Sequence, residues 1–210
     1  NICAKPYGDA AIAAFGIVNR IQFLGFALMF GFTQGYQPVA GYNFGAHRFG
    51  RLKTAMKFGI AVSLVIGALV TLACYLLAPQ MLSLFTTDAY VMEIGVPALR
   101  WFTSGFTITA FTLVMLMTHQ ALGKAGGALI LSVSRQGVCL IPTVMVLANV
   151  LGLLGIMLSP LVSDVISGVI AVVLAMRIFR FIREEKEKYA AAPTGEDAQG
   201  SGKEGSCQKK

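Results

Sequence analysis

Phe58 to Ala78 is a run of 21 residues without one charged side chain. As a helix rising about 1.5 Å per residue it would be about 30 Å long, the thickness of the hydrocarbon core of a bilayer. The rest of the chain fits the same solvent. Charged residues make up 13% of it and apolar residues 56%, where soluble domains average about 25% charged. A water-soluble domain of 210 residues needs more polar surface than this to cover its core. The composition therefore implies a polytopic membrane protein.

Four further segments approach spanning length: 10–35, interrupted by Asn19, Arg20 and Gln22; 96–119, with Arg100 near its start; 125–147, with Arg135 inside; and 155–179, holding Asp164. No segment alternates with period two, so helices are expected rather than a barrel. The fold class is an all-α helical bundle with five full membrane helices. Asn and Gly within 148–155 signal a turn, and 79–90 is too short and mixed to span, so it is expected to lie along the interface.

Charge sets the expected orientation. Arg48, Arg51, Lys53 and Lys57 follow the first span without an acid, whereas Asp88 and Glu93 follow the second without a base before Arg100. Alternation then puts Lys124 and Arg177, Arg180 and Arg183 on the side of the first basic loop, which the positive-inside rule makes cytoplasmic. The chain would sit in the cell (inner) membrane with its C-terminus inside. Residues 184–210, rich in Glu, Lys, Gly and Ser, read as a disordered cytoplasmic tail, helical at most to Tyr189. The sequence starts at Asn1, with neither Met nor a signal peptide, and is expected to be a fragment.

Other classes fall away. Cys3, Cys74, Cys139 and Cys207 have no metal-ligand or CxxC spacing, so no metal site is expected. The net charge of +7 lies beside apolar runs rather than on an aromatic-interleaved polar face, which argues against nucleic acid. No GxSxG, HExxH, P-loop or DDxxD occurs, so neither an enzyme nor a nucleotide-driven pump is indicated and no cofactor is expected. Any energy would come from an ion gradient.

The most informative stretch is 31–46, GFTQGYQPVAGYNFGA. Its glycines at 31/35 and 41/45 have the spacing that lets membrane helices approach closely. Pro38 removes a backbone donor, and Gly/Pro-interrupted membrane helices are where transporters place ligands. This predicts a break between Gln34 and Pro38, with Gly35, Pro38 and Gly41 as a conformational hinge.

The whole pattern resembles the GxxQGxQPxxGYNxGA stretch of the multidrug and toxic compound extrusion (MATE) transporters, particularly their bacterial multidrug and DinF-like branch. Residues 7–17, Gln120-Ala121-Leu122-Gly123-Lys124, the run 132–142 and Ser159 to Asp164 resemble further segments in matching order. The resemblance implies the C-terminal half of a twelve-helix antiporter: residues 1–183 would hold the end of helix seven and helices eight to twelve. It also implies drugs or organic cations as substrates, exported in exchange for H⁺ or Na⁺. The partners would be membrane lipid and a missing N-terminal lobe.

Polar groups at membrane depth are the candidate site. Asn19, Arg20, Gln22, Gln34, Gln37 and Asn43 could line a cavity or join helices; Arg20 and Gln34, 14 positions apart, share a face of an unbroken helix. Arg135 and Asp164 fall at similar depth, and either hold two helices together as an ion pair or exchange the coupling ion. His119 reads as a solvated helix end rather than a proton relay. Phe102, Phe106, Phe111, Met115 and Met117 read as packing rather than as a cushion for drugs. Two rival functions remain: a lipid-linked oligosaccharide flippase of the same superfamily, which would want several cavity-facing cations, and a non-transporting, truncated membrane protein.

Overall fold

The computed structural model describes residues 9–134 and 140–191. Arg135 lies outside the described residues, as do residues 1–8 and the tail from 192 onward. Eight helices occupy the described chain: α1 (Asp9–Gly45), α2 (Phe49–Leu76), α3 (Ala78–Ser83), α4 (Ala89–Thr103), α5 (Phe106–Ala121), α6 (Ala125–Val133), α7 (Leu140–Leu151) and α8 (Leu153–Ala191). α1, α2 and α8 are each long and apolar enough to cross a membrane, and α4 with α5 forms a fourth candidate bent by 42°. The expected 125–147 span is divided between α6 and α7, on either side of residues that are not described.

α5 is the central post, packed on α1, α2, α6 and α8. The core is layered along it. At one end Val18, Leu82, Leu99 and Phe102 are buried between α1, α3 and α4. Met29, Phe106 and Leu113 fill the middle. At the other end Leu52, Met56, Met115, Leu131 and Ile182 join α2, α5, α6 and α8. Phe102, Phe106, Met115 and Met117 are all buried in these layers, in keeping with packing.

α2 begins nine residues before the uncharged run, at Phe49. Phe49, Leu52 and Met56 repeat at helical spacing and are buried, while Arg51 and Lys57 point outward. The first basic loop is thus mostly an amphipathic helix entry. Segment 79–90 holds all of the six-residue α3 but its first residue, Ala78, and the start of α4, which Asp88 caps by accepting from the Tyr90 N–H at 2.9 Å. The turn within 148–155 is made at Gly152, whose φ of 60° suits a residue without Cβ.

Two expectations about helix continuity are reversed. α1 runs unbroken through Gln34 and Pro38 to Gly45, so the interruption expected there is absent. The proline ring fixes φ near a helical value, and its cost is mainly the lost bond to the Gln34 carbonyl. Contacts beside it hold the helix: the Tyr36 hydroxyl hydrogen-bonds Thr118 Oγ1 at 2.9 Å, and Gln37 donates to Gln120 Oε1 at 3.4 Å.

The break falls instead at Ser104 and Gly105, inside the expected 96–119 span. Thr103 Oγ1 donates to Leu99 O at 2.8 Å and Ser104 Oγ to Arg100 O at 2.7 Å. Such back-bonding competes for helix carbonyls and bends helices. The Thr103 carbonyl, at the end of α4, accepts from Thr71 Oγ1 at 3.1 Å, so α2 supplies a partner at the bend.

Candidate functional site

α1 carries most of the candidate residues. Its exposed face repeats at helical spacing through Arg20, Leu24, Gly31, Gln34, Pro38 and Tyr42. Arg20 and Gln34 do lie on this one stripe, about 21 Å apart along the axis at about 1.5 Å per residue. Exposed cations and amides at the depth of an apolar helix are costly in lipid, so this face calls for water or protein against it.

The other candidates have separate surroundings. Asn19 is exposed beside the stripe and Gln22 is half-buried. Gln37 turns toward α5, where it meets Gln120. Asn43 bonds its own helix, donating from Nδ2 to Val39 O at 2.8 Å. Gly35 is exposed, and Gly41 packs near the Ala121 carbonyl, both within continuous helix. The six polar candidates therefore extend along one helix rather than converging on a single pocket.

Asp164 lies elsewhere, on α8, and is 7% exposed. Its carboxylate packs against Gly105 at the α4–α5 bend: a Cβ at residue 105 would come within 3.1 Å of Asp164 Cβ and Cγ and closer still to Oδ2. The missing side chain of Gly105 is thus the space the acid occupies. Along the same part of α8, Ser163 and Ser167 are buried too. The expected pairing of Asp164 with Arg135 falls outside the described residues.

Several buried polar residues were not singled out from the sequence or were misjudged. His119 is 4% exposed, which corrects its reading as a solvated end residue. Its Nδ1 lies 2.7 Å from Met115 O, and the ring occupies the space that a Cβ on Gly127 would take. Gly126-Gly127 in the first turn of α6 was the available signal. Thr118 links the Tyr36 hydroxyl to Val114 O, to which it donates at 2.7 Å. Ser63 and Ser167 are buried, and their hydroxyls have no hydrogen-bond partner among the described residues. Among the described residues no group of three His, Cys, Asp or Glu could hold a metal ion.

Long apolar helices around a polar-seamed central post, with a polar stripe on an outer helix, define a multi-pass membrane protein. The MatE family model matches residues 1–146, and the chain belongs to that family. The multidrug export protein MepA of Staphylococcus aureus is 28% identical over 174 residues, which cover 83% of this chain and 38% of MepA. Among solved structures, an outward-facing multidrug resistance MATE family transporter of the MOP superfamily superposes with a TM-score of 0.80 at 23% identity, over 87% of this chain and 42% of the other. The Vibrio cholerae MATE transporter VcmN in its bent form gives 0.78 at 23% identity, over 86% and 41%. The chain spans 38% of the length of the curated relatives it matches.

Proposed function

We propose that this chain forms the C-terminal lobe of a twelve-helix secondary antiporter that exports drugs or organic cations in exchange for H⁺ or Na⁺, with its C-terminus in the cytoplasm of the cell membrane. The observation that carries the reading is the α1 stripe. Arg20 and Gln34 are exposed at membrane depth on a helix whose opposite side, Val18, Met29 and Ala40, is buried in the bundle. Such a face is suited to a water-filled path closed by another lobe. MepA, named for multidrug export, and the MATE structures support the substrate class.

In this reading the stripe lines the solute path and Asp164, buried beside the α4–α5 bend, exchanges the coupling ion, with Arg135 setting its charge. Gly35, Pro38 and Gly41 serve as the flexible portion of α1: the carbonyl of Gln34, deprived of a donor by Pro38, can change partner between states at modest cost. Among the described residues Arg20 is the one cation on the stripe, fewer than a flippase for charged lipid-linked sugars would need.

The test is efflux of a fluorescent organic cation from drug-hypersensitive cells expressing the full-length protein. Arg20→Ala and Gln34→Ala are expected to change efflux or its solute profile at unchanged membrane abundance. Wild-type profiles in both variants would remove the stripe from the transport path.

A further inference from the structure

The ends of the bundle differ in charge, and three basic segments among the described residues lie together. At one end Phe44 and Phe181 have ring centroids 6.2 Å apart, His47 stacks on Tyr189 at 4.3 Å, and Lys124 Nζ lies 3.7 Å over the Phe181 ring. These contacts gather the α1–α2 turn, the α5–α6 turn and the end of α8. The opposite end carries Asp88, Glu93 and Arg100, and Arg100 is engaged with Tyr75 through its ring at 4.9 Å and its carbonyl at 3.3 Å.

At the basic end, the cations extend the outward apolar faces of the helices. On α8, Val169, Val173 and Met176 are exposed at helical spacing, and the next exposed positions are Arg177 and Arg180. On α2 the exposed Phe58 and Val65 are preceded on the same face by Arg51 and next to them by Lys57. Arg183 and Lys188 are engaged by Glu187 at 4.0 Å and Glu185 at 3.4 Å. Arg177 and Arg180 have no acidic partner among the described residues. The stretch from Gly155 to Met176 is about 32 Å long at about 1.5 Å per residue, so a bilayer around it brings the headgroup layer to Arg177.

We propose that Arg177 and Arg180 on α8, together with Arg51 and Lys57 on α2, form a docking surface for the phosphate headgroups of anionic phospholipids. The acyl chains lie on the exposed valines and Met176, and the planar guanidinium groups receive phosphate oxygens in paired hydrogen bonds. The surface depends on the membrane embedding alone and not on which solute is carried or which ion drives it.

The experiment is native mass spectrometry of the purified full-length protein titrated with phosphatidylglycerol or phosphatidylcholine. Wild type is expected to bind the first phosphatidylglycerol at least tenfold more tightly than phosphatidylcholine. The double variant Arg177→Gln/Arg180→Gln should lower that preference to about threefold or less, in line with the usual contribution of juxtamembrane bases. Arg100→Gln, at the other end, should retain it, and so should Arg177→Lys/Arg180→Lys in large part. Raising the ammonium acetate concentration should weaken the wild-type preference, a measurement that stands even if a variant fails to fold. Equal affinity of wild type for the two lipids overturns the proposal, as does an unchanged preference in the folded Gln variant. Displacement of phosphatidylglycerol by inorganic phosphate at equal concentration also overturns it, because the surface would then select free phosphate over lipid.

Discussion

Gly105→Ala isolates the contact on which the α4–α5 bend rests. Gly105 has φ of −80° and ψ of −8°, a conformation open to any residue, so backbone geometry does not penalise alanine. Gly105 is the N-cap of α5, where glycine is preferred to alanine, so the advantage of alanine inside helices does not apply. The new methyl group adds to the cost, because its carbon would meet Asp164 Cβ and Cγ at 3.1 Å and the carboxylate oxygen more closely. Asp164 is short and buried, so it cannot swing aside without moving α8. Overpacking of this kind costs about 1–3 kcal/mol, with no helix gain to offset it. Gly31→Ala is the matched control, because a Cβ there meets nothing; it should be neutral or stabilising. The assay is thermal unfolding of the purified full-length protein in detergent, read for both variants side by side. Gly105→Ala melting at or above the wild-type protein would refute the argument that the acid occupies the glycine's empty space.

Asp164→Asn should lower efflux per molecule more than it lowers membrane abundance, measured by transport normalised to immunoblot; wild-type efflux per molecule would rule out a coupling role. Pro38→Ala restores the donor facing the Gln34 carbonyl and should slow turnover severalfold while leaving drug affinity and expression unchanged, which reconstituted flux and equilibrium binding would separate. Unchanged turnover would make the proline a passive helical residue. A reporter fused after Lys57 should read cytoplasmic and one after Asp88 external, and the same side for both would overturn the proposed orientation.

The features legible from sequence are those that depend on local composition. The uncharged run that makes up most of α2 and the apolar stretch of α8 show their spanning length directly, and the 31–46 stretch carries the family resemblance without any knowledge of contacts. The helix break was misplaced because proline is a conspicuous signal whose effect here is small. Pro38 loses one bond, and Tyr36 and Gln37, the two residues just before it, are tied to α5. The actual bend needs three things at once: hydroxyl back-bonding from Thr103 and Ser104, Thr71 on another helix to take a carbonyl, and Asp164 from a segment about 60 positions later filling the space at Gly105. Two of the three are tertiary. His119 was misread for the same reason, since its burial depends on Gly127 of the next helix leaving room for the ring. The spread of the candidate polar residues along α1 was only partly visible. The shared face of Arg20 and Gln34 follows from helical period, but the engagement of Gln37 with Gln120 and of Asn43 with Val39 does not.

The central claim is that the exposed stripe of α1 faces an aqueous solute path and not lipid. It is tested most directly by thiol labelling of Gln34→Cys in the full-length protein in membranes, using a charged, membrane-impermeant methanethiosulfonate reagent. Val65→Cys, on the apolar outer face of α2 and seven residues inside its uncharged run, serves as the lipid-facing reference. The account predicts that Gln34→Cys labels at least tenfold faster than Val65→Cys and that a transported organic cation slows the reaction. Labelling as slow as at Val65→Cys, with no effect of the cation, would contradict it.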